Sequence, residues 1–124
     1  MPGLALHDFG DMVRTATSPA AEDERDLSKV RLRLEMFEAL LDGYLAAAGG
    51  ILNAAEKEHL VFSGKLITFE VGVRFLTDFL RGDTYFKVHR EGHNLDRCRT
   101  QLALIRSIEA QEPEMNRLVR RLCK

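Results

Sequence analysis

The stretch Leu60–Leu80, LVFSGKLITFEVGVRFLTDFL, constrains this chain more than any other. It is long enough to cross a bilayer, yet Lys65, Glu70, Arg74 and Asp78 are spread along it. Each of those charges would cost about 2.5–3.5 kcal/mol at the centre of a membrane. The segment therefore reads as a buried helix of a soluble protein. Helical periodicity extends it from about Ala54 to Leu80, roughly 40 Å at 1.5 Å per residue. A helix of that length suits the central element of a bundle. Asn53 and Glu56 form a capping-box pair at its start and Gly82 stops it, while Gly64 and Gly72 let neighbouring helices approach.

The flanking segments follow the same helical period. Val30, Leu34, Phe37, Leu41, Tyr44 and Ala48 recur three and four residues apart, on a helix capped by Asp26 or Ser28 and closed by Gly49-Gly50. Gly43 inside it costs about 1 kcal/mol relative to Ala, and close packing against a neighbour is the expected reason for it. Phe9, Met12, Val13 and Ala16 mark a shorter helix entered from Asp8, followed by an acidic, exposed connection through Asp26. Beyond Arg81 the sequence predicts an irregular connection with a short extended piece at Tyr85–Val88. A helix capped by Asn94 then carries Leu95, Cys98, Leu102, Ile105 and Ile108, and Pro113 opens a last one with Met115, Leu118, Val119 and Leu122. The expectation is an all-α helical bundle forming a single domain over residues 1–124. Residues 1–28 supply a helix plus the acidic connection, and residues 29–124 supply the helical core.

Composition narrows the function classes. With 18 Lys and Arg against 19 Asp and Glu, the net charge is -1, which gives nucleic acid no electrostatic handle. Two cysteines, Cys98 and Cys123, are too few for a disulfide scaffold. Together with the absence of a visible secretory signal or membrane segment, they lead to the expectation of a reducing, cytoplasmic setting. No Gly-rich phosphate loop, no catalytic loop and no nucleophile–base motif occurs, so these residues nominate no catalytic group.

The polar residues of the long helix are the ones that suggest chemistry. Glu70, Arg74 and Asp78 stand four residues apart on one face, and the residues around them are apolar on nearly every other side. A helix apolar almost all round is buried, and buried charges need partners. Two readings follow: an ion-pair ladder tying helices together, or one polar wall of a substrate pocket. In the second, Arg74 is the leading residue, because its planar fork suits bidentate bonding to oxygen-rich ligands. His89, His93, Asp96 and Cys98 offer ligand atoms for a small metal-binding protein, but their order and spacing match no zinc signature.

Three stretches together resemble a known family: MPGLALHDFGDMVR, AAEDERDLSKV and KLITFEVGVRFLTDFLRGDTYFKVHREGHNLDRCRTQ. They are similar to the C-terminal part of N-acetylhexosamine kinase-like members of the aminoglycoside/choline phosphotransferase superfamily, some of which carry names referring to mucin desulfation. The resemblance implies part of the C-terminal lobe of a protein-kinase-like fold, and an ATP- and Mg²⁺-dependent transfer of phosphate to a sugar. It places the nucleotide-binding lobe, the catalytic base and the metal-binding Asp upstream of Met1. This chain is then expected to be the acceptor-binding fragment, inactive alone and binding no cofactor itself. Asp8-Phe9-Gly10 resembles the metal-binding triplet of protein kinases only superficially. The family pattern instead gives Asp8, Asp11 and Arg14 a role in supporting the catalytic loop. It makes Arg74 and Tyr85 sugar-contacting positions, with Glu70 and Asp78 either orienting Arg74 or bonding the sugar. The implied partners are the missing nucleotide-binding lobe and an amino-sugar acceptor, with self-association through the apolar surface that a missing lobe exposes. A free-standing interaction domain that pairs with a separate polypeptide is the alternative expectation.

Overall fold

The computed structural model describes residues 2–123, which form five α-helices and two short 3-10 turns, with no strand among them. The helices are α1 (Pro2–Ala16), α2 (Leu34–Ala48), α3 (Ala54–Glu58), α4 (Leu60–Leu80) and α5 (His93–Leu122). Helix α4 lies at the centre, with α5 along one side and α1 along another, and α2 closes the bundle against α5 and α1. The shared core takes Phe9 and Val13 from α1, Phe37 and Leu41 from α2, Leu60 and Val61 from α4, and Leu104 and Ile108 from α5. No described helix is long and apolar enough to cross a membrane.

Glycine sets the closeness of the α1–α4 crossing. A Cβ on Gly10 would lie 2.5 Å from the Ser63 carbonyl oxygen, and one on Gly64 would lie 2.9 Å from a Val13 methyl. Each helix therefore presents a bare glycine onto which the other packs, Val13 of α1 against Gly64 and Ser63 with Ile67 of α4 against Gly10, so the two backbones approach closely. Gly72 faces the Gln101 side chain of α5. Gly43 differs from expectation: it is exposed, and nothing approaches the place a Cβ would occupy.

Other boundaries also depart from the periodicity. The predicted helix from Ala54 to Leu80 is broken at His59. There the imidazole Nδ1 takes the Ala55 carbonyl at 2.6 Å, while the His59 amide falls back to Glu56. A side chain thus occupies the acceptor that the next helical bond requires. The Asn53–Glu56 capping box is present, but it opens α3 instead of the long helix. Asp26 caps only the 3-10 turn Leu27–Lys29. Residues 30–33 are extended because their backbone is claimed from outside. The Leu32 amide donates to the Ser107 hydroxyl at 2.8 Å, its carbonyl accepts from Gln111 at 2.7 Å, and the Arg33 amide reaches the Thr17 carbonyl at 3.0 Å. Helix α5 runs straight through Pro113. Pro113 and Glu109, whose carbonyl loses its usual donor, are both exposed, so the orphaned acceptor lies on the solvent side of the helix. No strand forms at Tyr85–Val88: Tyr85 and Phe86 are bends and the two residues after them are irregular.

The two glycine environments predict opposite outcomes in thermal unfolding. Gly43→Ala gains about 1 kcal/mol from helix propensity alone and raises the midpoint by a few degrees. Gly10→Ala drives a methyl into a carbonyl oxygen and lowers stability by about 1–3 kcal/mol.

Candidate functional site

Helix α4 ends in a Schellman arrangement. The Gly82 amide bonds to the Phe79 carbonyl at 3.2 Å and the Asp83 amide to the Asp78 carbonyl at 2.8 Å, with Gly82 at φ 92°. Asp83 follows at φ 61°, a left-handed conformation that Asp tolerates better than most residues. This reversal turns residues 84–88 back over the last turns of α4, where the Asp78 side chain receives them.

Asp78 is only 4% exposed. One carboxylate oxygen accepts the Tyr85 amide at 2.7 Å; the other accepts the Phe86 amide at 3.0 Å and the Asn94 side-chain amide at 2.7 Å. Burial alone would raise this carboxyl, but the Phe86, Tyr85, Asn94 and Thr84 donors outweigh it and hold it below the ordinary range. Asn94 also donates to Asp83 at 3.0 Å and accepts from Arg97 at 2.9 Å. Arg97 lies over the Phe75 ring, which packs on Phe86 at 4.8 Å. The Asn94 cap expected from sequence is therefore replaced by an internal clasp, and Gly92, at φ 73°, takes the N-cap position before α5.

The result is a cleft of about 490 Å³ between the C-terminal half of α4 and the connection. Arg74, Thr77, Arg81, Thr84, Tyr85 and Phe86 line it, with Val73 and Asp78. Two guanidinium groups, three hydroxyl-bearing side chains and two aromatic rings thus border one concave space. Arg74 is not the buried charge that the flanking apolar residues suggest. Its side chain is 66% exposed and bonds to Glu70 within the same helix at 2.8 Å. Glu70, one turn earlier on the same side of the helix, borders a second cleft between α1 and the N-terminal part of α4. Tyr85 is 83% exposed at the mouth, its ring edge-on to Phe86. Sequence reasoning brought Arg74, Asp78 and Tyr85 to one place. It missed Thr77, Thr84, Phe86 and Asn94, for which only the Gly82-Asp83 turn signal offered a clue.

The other singled-out residues lie elsewhere. Asp8 is exposed on α1, whereas Arg14 is mostly buried between Asp11 at 3.1 Å and Glu22 at 2.9 Å, joining α1 to the acidic connection. Both ring nitrogens of buried His93 are engaged: Nδ1 accepts the His89 amide at 3.1 Å and Nε2 meets Asp23 at 2.8 Å. Asp96 is held by Arg90 at 2.9 Å and Arg25 at 3.1 Å. Cys98 is buried, and burial pushes its thiol up. Among the described residues no group of three or more His, Cys, Asp or Glu side chains is placed to hold a metal ion.

Asp78→Asn removes the anion on which the connection is folded, so amide exchange at Tyr85 and Phe86 accelerates at least about tenfold in hydrogen-exchange measurements. The acid limb of stability has a defined sign. Asp78 titrates below its unfolded value of about 3.9, so its contribution is complete above that pH and is lost as pH falls through the folded value. Asp96, with burial outweighed by Arg90 and Arg25, and Asp23, held down chiefly by its bond to His93, add to the same limb. Unfolding free energy measured from pH 7 to pH 2 therefore stays level with respect to these groups until about pH 4 and then falls; Asp78→Asn makes that fall shallower. No protein-family model matches the sequence.

Proposed function

We propose that this chain is the acceptor-binding portion of an ATP-dependent sugar phosphotransferase of the N-acetylhexosamine kinase-like kind, part of a kinase-like C-terminal lobe. The observation that carries the reading is the cleft bordered by Arg74, Arg81, Thr77, Thr84 and Tyr85, because its chemistry suits a pyranose. Sugars combine a ring of hydroxyls with an apolar C–H face. Guanidinium and hydroxyl groups serve the first, and an aromatic ring serves the second. The sequence resemblance points independently to two of these residues, Arg74 and Tyr85.

In this reading Arg74 donates to acceptor hydroxyls, or to the carbonyl of an N-acetyl group, while Glu70 fixes its guanidinium from outside the cleft. Arg81 faces the same space, and Tyr85 offers its ring at the mouth. Asp78 is a positioning residue: its lone pairs already serve the connection, so it shapes the wall and leaves the sugar to others. Phosphoryl transfer requires charge neutralisation and in-line placement of donor and acceptor. Asp11 is bonded to Arg14, and among the described residues no set of metal ligands gathers with it or with Asp8. Nucleotide chemistry is assigned to the preceding lobe, and no step of it is placed here.

The test is a titration of the ¹⁵N-labelled chain with N-acetylglucosamine and N-acetylgalactosamine, followed by amide chemical shifts. Saturable shifts confined to residues 73–86, with a Kd in roughly the millimolar range that an open cleft supports, are the expected result. Arg74→Ala weakens that binding roughly tenfold, the loss of one charge-assisted hydrogen bond. Absence of localised shifts at saturating sugar would remove the assignment.

A further inference from the structure

Helix α4 carries a second organised face that lies outside the core and borders the acceptor cleft, sharing Val73 with it. Phe62, Leu66, Phe69, Val73, Leu76 and Leu80 are 38% to 74% exposed, although all are large and apolar. Their spacing is four, three, four, three, four, the alternation of a coiled-coil seam, and it spans the whole helix. Buried residues of the same helix, such as Gly64, Thr68 and Phe75, lie off this stripe and face the bundle.

We propose that this stripe is the seam of a parallel, in-register dimer, α4 of one copy against α4 of a second copy. Three observations select that occupant. The heptad places Leu66, Val73 and Leu80 at one set of seam positions and Phe62, Phe69 and Leu76 at the other, so each residue meets its own symmetry mate. Taking about 200 Å² for a fully exposed Phe and somewhat less for Leu and Val, the six present on the order of 500 Å² per copy and about 1,000 Å² for the pair, the threshold for a specific interface. Charge then selects the orientation. Lys65 and Glu70 flank the stripe on opposite sides, five residues apart, the separation at which a residue on one strand of a parallel coiled coil faces the other strand. Two Lys65–Glu70 pairs thus bracket the seam. An antiparallel arrangement would instead set Glu70 beside its own symmetry mate.

In the monomer these two side chains have only weak local partners. Lys65 reaches Glu112 at 3.4 Å, and Glu70 holds Arg74 in an exposed pair. Neither contact is lost in the dimer, since an ammonium has three donors and a carboxylate several acceptor sites. The inference stands apart from the sugar reading: an empty cleft leaves it untouched, and a monomeric chain leaves the cleft untouched.

Sedimentation equilibrium of the chain at about 100 µM, a concentration that populates a micromolar dimer, tests it. A mass twice the 14.1 kDa of the chain is expected. Val73→Glu, or Leu66→Glu should the first variant lose its helical circular dichroism, is expected to sediment as a folded monomer. Leu80→Cys in a Cys123→Ser background is expected to form a disulfide-linked dimer on mild oxidation. A monomeric wild-type chain overturns the proposal, whether the face then serves another polypeptide or none. A folded Val73→Glu or Leu66→Glu variant that remains dimeric overturns it too. Crosslinking only in a mixture of Phe62→Cys and Leu80→Cys chains overturns the parallel register.

Discussion

The carboxylate of Asp78 is the joint on which the candidate site is built. Helix α4 would end in solvent were its last turns not followed by a left-handed reversal, and that reversal would lead nowhere without an acceptor for the amides behind it. One buried anion therefore fixes the connection to the helix, and through Asn94 it fixes both to the start of α5. The aromatic packing of Phe86 on Phe75 and the stacking of Arg97 follow from that placement. Such a joint is enthalpically strong and entropically cheap because its donors are mostly backbone amides already ordered by the turn.

Helix α4 divides its circumference among unlike tasks. Gly64 and Gly72 bring α1 and α5 within reach on two sides, and the apolar stripe occupies the side left over. That division explains why a helix apolar nearly all round is not buried all round. Hydrophobicity without an obvious polar face ordinarily signals a core helix, yet here part of the apolar surface remains open. The charges embedded in it behave accordingly. Asp78 is buried and fully bonded, while Arg74, four residues earlier, stands at the rim of the cleft.

Much of this architecture was legible in the sequence, and the failures have local causes. The three- and four-residue spacing identified the helices because most of their burial is one-sided, and Asn53 with Glu56 announced a helix start that is present. The continuation through His59 was misread because an imidazole can take a backbone acceptor, which no periodicity records. Pro113 looked like a beginning because the usual cost of an interior proline is a buried, unpaired carbonyl; at an exposed turn that cost is small. Val30 kept the helical spacing while its backbone was extended, since its neighbours bond to side chains far along the chain. The site was half visible. Arg74 stood out by its chemistry and Tyr85 through the family resemblance, but Asn94 was read as a local cap when two of its partners lie sixteen and eleven residues away.

The extended segment at Leu32 has a consequence of its own. Ser107 and Gln111, one helical turn apart, imitate the edge of a neighbouring β-strand, one accepting from the amide of Leu32 and the other donating to its carbonyl. Polar residues at those positions are scaffolding in disguise. Trimming either of them would strand a main-chain group in a dry seam, with damage out of proportion to so modest a side chain.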